Sequence, residues 1–300
     1  MGKYQERVRD WVVGSFVGGL SAGAAHYLFD LLARRFAVEA IRVDGDLGRF
    51  EGRPNDLVMG SYLRYRTYGP DLLELIRDDL LGQGGTLVDI GANIGLVCVP
   101  VARRGLARVI AFEPEPVNFG FLRANLAANA PDAAAELHNL AIFSADRTLT
   151  FELSENNLGD HRVRRKTDLS YEKYAESRRP VIQVEGRRLD GVLDPRDLPR
   201  PIVVKIDTQG AEVDVVAGGG QFLAAADYVI AEYCPYLIRR LNADPAAFLD
   251  FVRTFPRGGL LVPGQARQTV PGDIEALVAA MTAFPQDGSA ARHVDVLLAR

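Results

Sequence analysis

The sequence predicts an α/β domain whose mostly parallel sheet carries helices on both faces, preceded by an N-terminal helix and a small β lead-in. Three observations predict it. Short apolar runs rich in Val and Ile recur at 86–90, 107–112, 136–142, 202–207 and 228–233, with helical stretches between most of them. That is the pattern of parallel strands covered on both faces. A glycine-rich turn, Gly91-Ala92-Asn93-Ile94-Gly95, follows the first run directly, and an acidic residue, Glu113, closes the second. Strand, glycine turn, helix, strand and carboxylate, in that order, open a nucleoside-binding unit.

Along the chain, each element has its own justification. Between Trp11 and Phe29 there is no Asp, Glu, Lys or Arg, and basic residues flank the stretch. It reads as a helix buried against the domain or a second subunit, which makes a homodimer plausible. Its length and lack of charge keep membrane association through residues 11–29 open, and a cleaved signal remains a third reading. Residues 38–66 alternate β-like runs with turn signals such as Asp44-Gly45, giving the β lead-in. The expected division is therefore 1–66 for helix and lead-in and 67–300 for the main domain. Gly69-Pro70-Asp71 opens a helix with Leu72, Leu75, Ile76 and Leu80 on one face, and Gly82 to Gly85 stop it. Pro100 falls inside the helix expected after the glycine turn, so that helix should be kinked or start late. The closing HVDVLLAR reads as a last strand.

Composition narrows the function. A chain of 300 residues with 48% hydrophobic content can bury a full core. The net charge of −4 gives no bulk attraction to nucleic acid. Cys98 and Cys234 lie in apolar surroundings without metal-type spacing, and no metal is expected. They read as buried small side chains in a reducing, cytoplasmic compartment.

The chemistry should gather outside the carboxyl ends of the strands, where strand order reverses. Asn93 stands where a dinucleotide fingerprint has its second glycine, so the turn suits a ligand with a ribose and no pyrophosphate, such as S-adenosylmethionine. Asp89 can accept from the ligand's amino group or from turn amides. Gly91 and Gly95 let the backbone come close to the ligand, and Asn93 is placed to cap the helix. Glu113 can take both ribose hydroxyls in a forked geometry. Further on, Lys205-Ile206-Asp207-Thr208-Gln209-Gly210-Ala211-Glu212 closes another strand. A buried Lys205 needs a partner among Asp207, Glu212 and Glu232. These groups either form a structural ion-pair network or border a transfer site. His161, in a polar loop, is the candidate base, whereas His138 and His293 read as structural. Arg162, Arg164, Arg165, Lys166, Arg178 and Arg179 form a basic run that is either a solvated face or a seat for an anionic acceptor.

VDIGANIG, then AFEPEPVNFGFLRANLAAN, then KIDTQGAE with VIAEY, in this order, resemble the FkbM family of S-adenosylmethionine-dependent methyltransferases over roughly residues 55–240. The resemblance implies a class I methyltransferase Rossmann-like sheet and methyl transfer to a hydroxyl of a sugar, glycan or natural product. It aligns Asp89, Gly91, Asn93, Gly95 and Glu113 with the cofactor motif, and Asn139 joins them as a cofactor candidate. Lys205, Asp207 and Glu212 align with the later motif. The implied catalytic groups are His161, Asp207 and Lys205, with Glu212, Glu232 and Arg162 toward the acceptor. Gln209 stands where the family often has Glu, which removes one acid from that loop. A nicotinamide-dependent reductase and a non-catalytic nucleoside-binding module are the alternatives. Asn93 argues against the first, and calorimetry showing no S-adenosylmethionine binding would decide for the second, because the enzyme reading requires it.

Overall fold

The computed structural model describes residues 35, 38–155, 157–165, 178–285 and 293–300. The helix expected over 11–29 lies outside them. Among the described residues no helix is long and apolar enough to cross a membrane.

The lead-in begins as an antiparallel hairpin, β1 (Ile41–Gly45) and β2 (Gly48–Gly52). Its second half departs from the β expectation, because Leu57–Tyr65 is a helix. The Asp56 carboxylate caps it, accepting from the amides of Val58 and Met59 at 3.2 Å each. Capping of this kind satisfies donors that a helix start leaves orphaned. Asn125 fastens the hairpin to the domain, accepting from the Glu51 amide at 2.7 Å and donating to the Glu51 carbonyl at 3.0 Å. Ile41, Val43 and Phe50 share one hydrophobic core with Leu87, Val99, Val109 and Leu122. The described lead-in thus folds onto the main domain.

The helix at Pro70–Glu74 widens into a π-helix over Leu75–Leu80. The chain then enters β3 (Gly85–Ile90), every residue of which is buried. The following helix starts late, at Cys98–Arg104. Pro100 therefore sits in its first turn, where a missing N–H breaks no intrahelical bond. β4 (Ala107–Phe112) pairs parallel with β3, and the helix Pro116–Asn129 carries the chain to β5 (Ala135–His138), parallel to β4.

The apolar run at 136–142 is not one strand. It breaks after β5, and β6 (Ala141–Ile142) belongs to a second sheet. Asn139 makes the corner, its amide donating to the carbonyls of Glu113 at 2.8 Å and Pro114 at 3.0 Å. The second sheet adds β7 (Arg147–Glu152), β8 (Arg162–Val163) and β9 (Val181–Arg187), in the order β6-β9-β7-β8. It has its own core of Phe143, Leu149, Phe151, Val163 and Val184.

The chain returns through β10 (Ile202–Ile206), on the other side of β3, and β11 (Tyr228–Tyr233) follows parallel to it. β12 (Arg257–Leu261), β13 (Gly272–Asp273) and β14 (Val294–Ala299) complete the sheet, with β14 antiparallel between β11 and β12. The order is β13-β12-β14-β11-β10-β3-β4-β5. Strand order reverses between β3 and β10, and a crevice opens where the chain leaves such adjacent parallel strands to opposite sides.

Candidate active site

A cleft of about 620 Å³ lies over the carboxyl ends of β3, β4, β10 and β11. Its walls divide by the strands that supply them. On the β3–β4 side stand Asp89, the 91–94 turn, Phe112 and Glu113, together with Leu140 to Ile142 and the 157–163 loop. On the β10–β11 side stand Lys205, Asp207, Gln209 and Glu232, with Tyr68, His293 and Asp295 around them.

Glu113 is buried, and both its carboxylate oxygens are held. Oε2 accepts from the Asn93 amide and Oε1 from the Glu115 amide, each at 2.9 Å. Burial pushes its carboxyl up to about 8, against the pull of those two amides. Asp89, 1% exposed, has no hydrogen bond to either oxygen; the Lys205 ammonium stands 3.6 Å away. Burial raises its carboxyl too, with Lys205 opposing. The Asn93 Oδ1 is likewise buried without a partner. Buried acceptors left without donors are rare in folded proteins and call for a ligand or ordered water. Three of them line the wall beside a fixed strand-end carboxylate, which suits the hydroxyl and amino donors of an adenosyl group with a free amino end. The residues fit S-adenosylmethionine.

Several expected contacts take a different form. Asn93 does not cap the helix, which begins five positions later; it adopts φ 51° and carries its side chain into the cleft wall. Gly95 serves packing within the protein, whereas Gly91 lines the cleft as well as packing closely. Gly91 has φ +87°, and a Cβ there would lie 1.9 Å from the Asp207 carbonyl oxygen; at Gly95 it would meet Leu122 and Val99 at 2.7 Å. Asn139 is absent from the cleft walls and holds the Glu113-Pro114 backbone instead. Glu212 also stands outside the cleft. Its Oε1 closes the turn, accepting from the Thr208 amide and hydroxyl at 3.0 Å and from the Gly210 amide at 3.1 Å.

Most of the described basic run is neither a solvated face nor an open anion seat, although Arg178 is exposed. Arg162 and Arg164 both donate to the buried Glu152 at 3.1 Å, and Arg240 joins them at 2.7 Å. Arg179 pairs with Asp160, and Arg165 with Asp214. Arg162 touches the cleft, but its guanidinium is engaged with Glu152 and Asp160. Lys166 lies outside the described residues.

His161 lines the cleft, with Nδ1 accepting from the Ser154 amide at 2.9 Å. Burial, then the charges of Arg179 and Arg53, lower its pKa to about 4. The neutral ring with Nδ1 accepting carries its proton on Nε2. His161 thus presents a hydrogen-bond donor to the cleft. It has no free lone pair to act as base, which corrects the sequence expectation.

Lys205 pairs with Asp207 at 3.3 Å as well as Asp89. Burial works to discharge the ammonium, but Asp207 and Asp89 outweigh it and hold its pKa above the ordinary value. Sequence reasoning missed Tyr68, His293 and Asp295. Tyr68 precedes a helix start, which hides its orientation. His293 and Asp295 reach the cleft because β14 pairs antiparallel with β11, setting Asp295 opposite Glu232.

The fold and this cleft define a class I S-adenosylmethionine-dependent methyltransferase. The FkbM methyltransferase domain matches residues 89–254, and the chain belongs to that family. Hexuronic acid methyltransferase AglP of Haloferax volcanii is 26% identical over 231 residues, covering 75% of this chain and 80% of that protein. The 2-O-methyltransferase NoeI of Sinorhizobium fredii is 31% identical over 191 residues, covering 57% and 75% respectively. Among solved structures, the bifunctional kinase-methyltransferase WbdD matches with a TM-score of 0.38 at 14% identity, over 77% of this chain and 40% of that one.

Proposed function

We propose that the enzyme transfers the methyl group of S-adenosylmethionine to a hydroxyl oxygen of a saccharide, free or carried on a larger molecule. The observation that carries this reading is the make-up of the β10–β11 wall. Asp207, Glu232, Asp295, Gln209 and Tyr68 offer many hydrogen-bond acceptors against few cations. Such a wall suits a polyol, whose hydroxyls donate, better than a phosphate or an apolar ring. Two relatives point the same way, one named for hexuronic acid and one for 2-O-methyl transfer.

Roles follow from placement. Glu113 takes the ribose hydroxyls, and Asp89 with Asn93 Oδ1 takes the amino end or ring donors of the adenosyl group. The cofactor supplies an already activated methyl group when bound. The chain's own task is to hold the acceptor oxygen in line with it and exclude water. Lys205 pairs with both Asp89 and Asp207, on either side of the boundary between cofactor and acceptor. His161, as a neutral donor, orients an oxygen of either ligand.

The test is release of S-adenosylhomocysteine against a panel of saccharides, phenols and amines, with product linkage read by mass spectrometry. A methyl ether on a saccharide is expected. Methylation confined to nitrogen or to phenols would overturn the reading.

A further inference from the structure

The β10–β11 wall contains a clamp that neither the family match nor the relatives' names assign. Gln209 sits at φ 55°, a left-handed conformation that few residues other than glycine adopt. In that conformation its single Nε2 reaches two carboxylates, donating to Asp207 Oδ1 at 2.8 Å and Glu232 Oε2 at 3.0 Å. Sparsely populated backbone held in place at a cleft is a common mark of a functional constraint. The amide spends both protons on holding two carboxyl groups side by side.

From this geometry we infer that Glu232 is the general base of the transfer and that Gln209 is the residue that positions it. The inference rests on the hydroxyl-acceptor reading. The acceptor oxygen forms its bond to the methyl carbon while the carbon–sulfur bond breaks with its electron pair staying on sulfur. The hydroxyl proton passes to the Glu232 carboxylate, and bulk solvent later removes it.

Three features separate Glu232 from its neighbours. Asp207 is tied to the Lys205 ammonium at 3.3 Å and is 37% exposed, so its carboxylate is already engaged and open to solvent. Glu232 lines the cleft at only 12% side-chain exposure. It lies one strand farther from the glycine turn than Asp207, on the acceptor side of the crevice. The groups around it come from every neighbouring element. Burial first, then Asp207, Glu212 and Asp295, raise its pKa well above the ordinary carboxyl value, and Lys205 opposes them. His293 stands 3.9 Å from Oε1, and Tyr68 and Cys234 complete the surroundings. A carboxylate made more basic in this way is better matched to a hydroxyl proton.

The experiment compares wild type with Glu232→Gln, Glu232→Asp and Gln209→Ala, measuring kcat against pH and S-adenosylmethionine affinity by calorimetry. Glu232→Gln should lower kcat by about 100-fold or more with cofactor affinity within about threefold of wild type. Glu232→Asp should recover part of the rate. Wild-type kcat should rise with pH through one acidic limb. Gln209→Ala removes a donor to the ionised form, so its limb should move up by about one pH unit with the high-pH plateau largely retained. A purely structural role would lower the rate equally at all pH values, and that result overturns the assignment. Wild-type methylation of a hydroxyl with an equally active Glu232→Gln overturns the base alone. Wild type that binds cofactor yet methylates no hydroxyl overturns the acceptor reading and the base with it.

Discussion

Glu113 couples cofactor binding to protonation, and the coupling can be worked out from its surroundings. Burial displaces its carboxyl from 4.5 to about 8, outweighing the two amides that hold it. At roughly 1.4 kcal/mol per tenfold change, this is roughly 5 kcal/mol of preference for the neutral form. The sign for stability follows. The raised folded value contributes stability that is full below about 4.5 and is lost as pH rises through about 8. Ribose hydroxyls donate to the ionised form, so binding should expel the proton. About one site in 10 is ionised at pH 7 and about one in 100 at pH 6, so affinity should rise about tenfold per pH unit up to about 8 and then level. Titration calorimetry at pH 7 in buffers of different ionisation enthalpy should show close to one proton released per cofactor bound. The cofactor's own amino group titrates near the same range, so the control is Glu113→Gln. That variant should lose the Glu113 share of the slope and bind about 100-fold more weakly at pH 8.5, through loss of a charge-assisted pair. Equal slopes in wild type and Glu113→Gln would refute the ribose assignment. Glu113→Ala is a poorer probe, because it orphans the buried amides of Asn93 and Glu115 and should cost stability as well.

Three further outcomes rest on packing. Gly91→Ala places a methyl 1.9 Å from the Asp207 carbonyl oxygen at φ +87°; it should cost more than about 2 kcal/mol in urea denaturation and abolish cofactor binding. Asp56→Ala removes the cap of Leu57–Tyr65 and the partner of the Leu158 amide, 2.9 Å from Oδ1; a loss of about 2–3 kcal/mol is expected, only partly restored in Asp56→Asn, which keeps one of the two accepting oxygens. Glu152→Gln strips the charge facing Arg162, Arg164 and Arg240 in a buried cluster; a loss of about 3–5 kcal/mol is expected by the same assay, with the loss shrinking in Glu152→Gln/Arg162→Met.

What the sequence reveals about this molecule follows how local the cause is. The path from β3 through the glycine turn to Glu113 is legible because strand period, turn and strand-end acid all lie close along the chain. The late helix at Cys98 is legible from Pro100 for the same reason. The helix at Leu57–Tyr65 was hidden by a mixed apolar run, although Asp56 carries the cap signature. The break at Asn139 was hidden because the carbonyls it captures lie 25 and 26 positions earlier. Glu152 gathers arginines 10 to 88 positions away, a convergence that local pattern does not record. The tautomer of His161 depends on one backbone amide, and no composition betrays it.

The excursion that makes the second sheet has a consequence for how such enzymes diversify. The chain leaves the main sheet after β5 and re-enters it at β10, with β6 to β9 and the 157–163 loop spun out between. Nothing in the pairing of β3 with β4 or β10 depends on the length of that detour. Insertions, deletions and loop exchange there can reshape one wall of the cleft while the cofactor crevice keeps its register. The detour thus bears on the β3–β4 wall, where the ties from Glu152 to Arg240 and from Leu158 to Asp56 must be kept, while the β10–β11 wall is built by strands outside it.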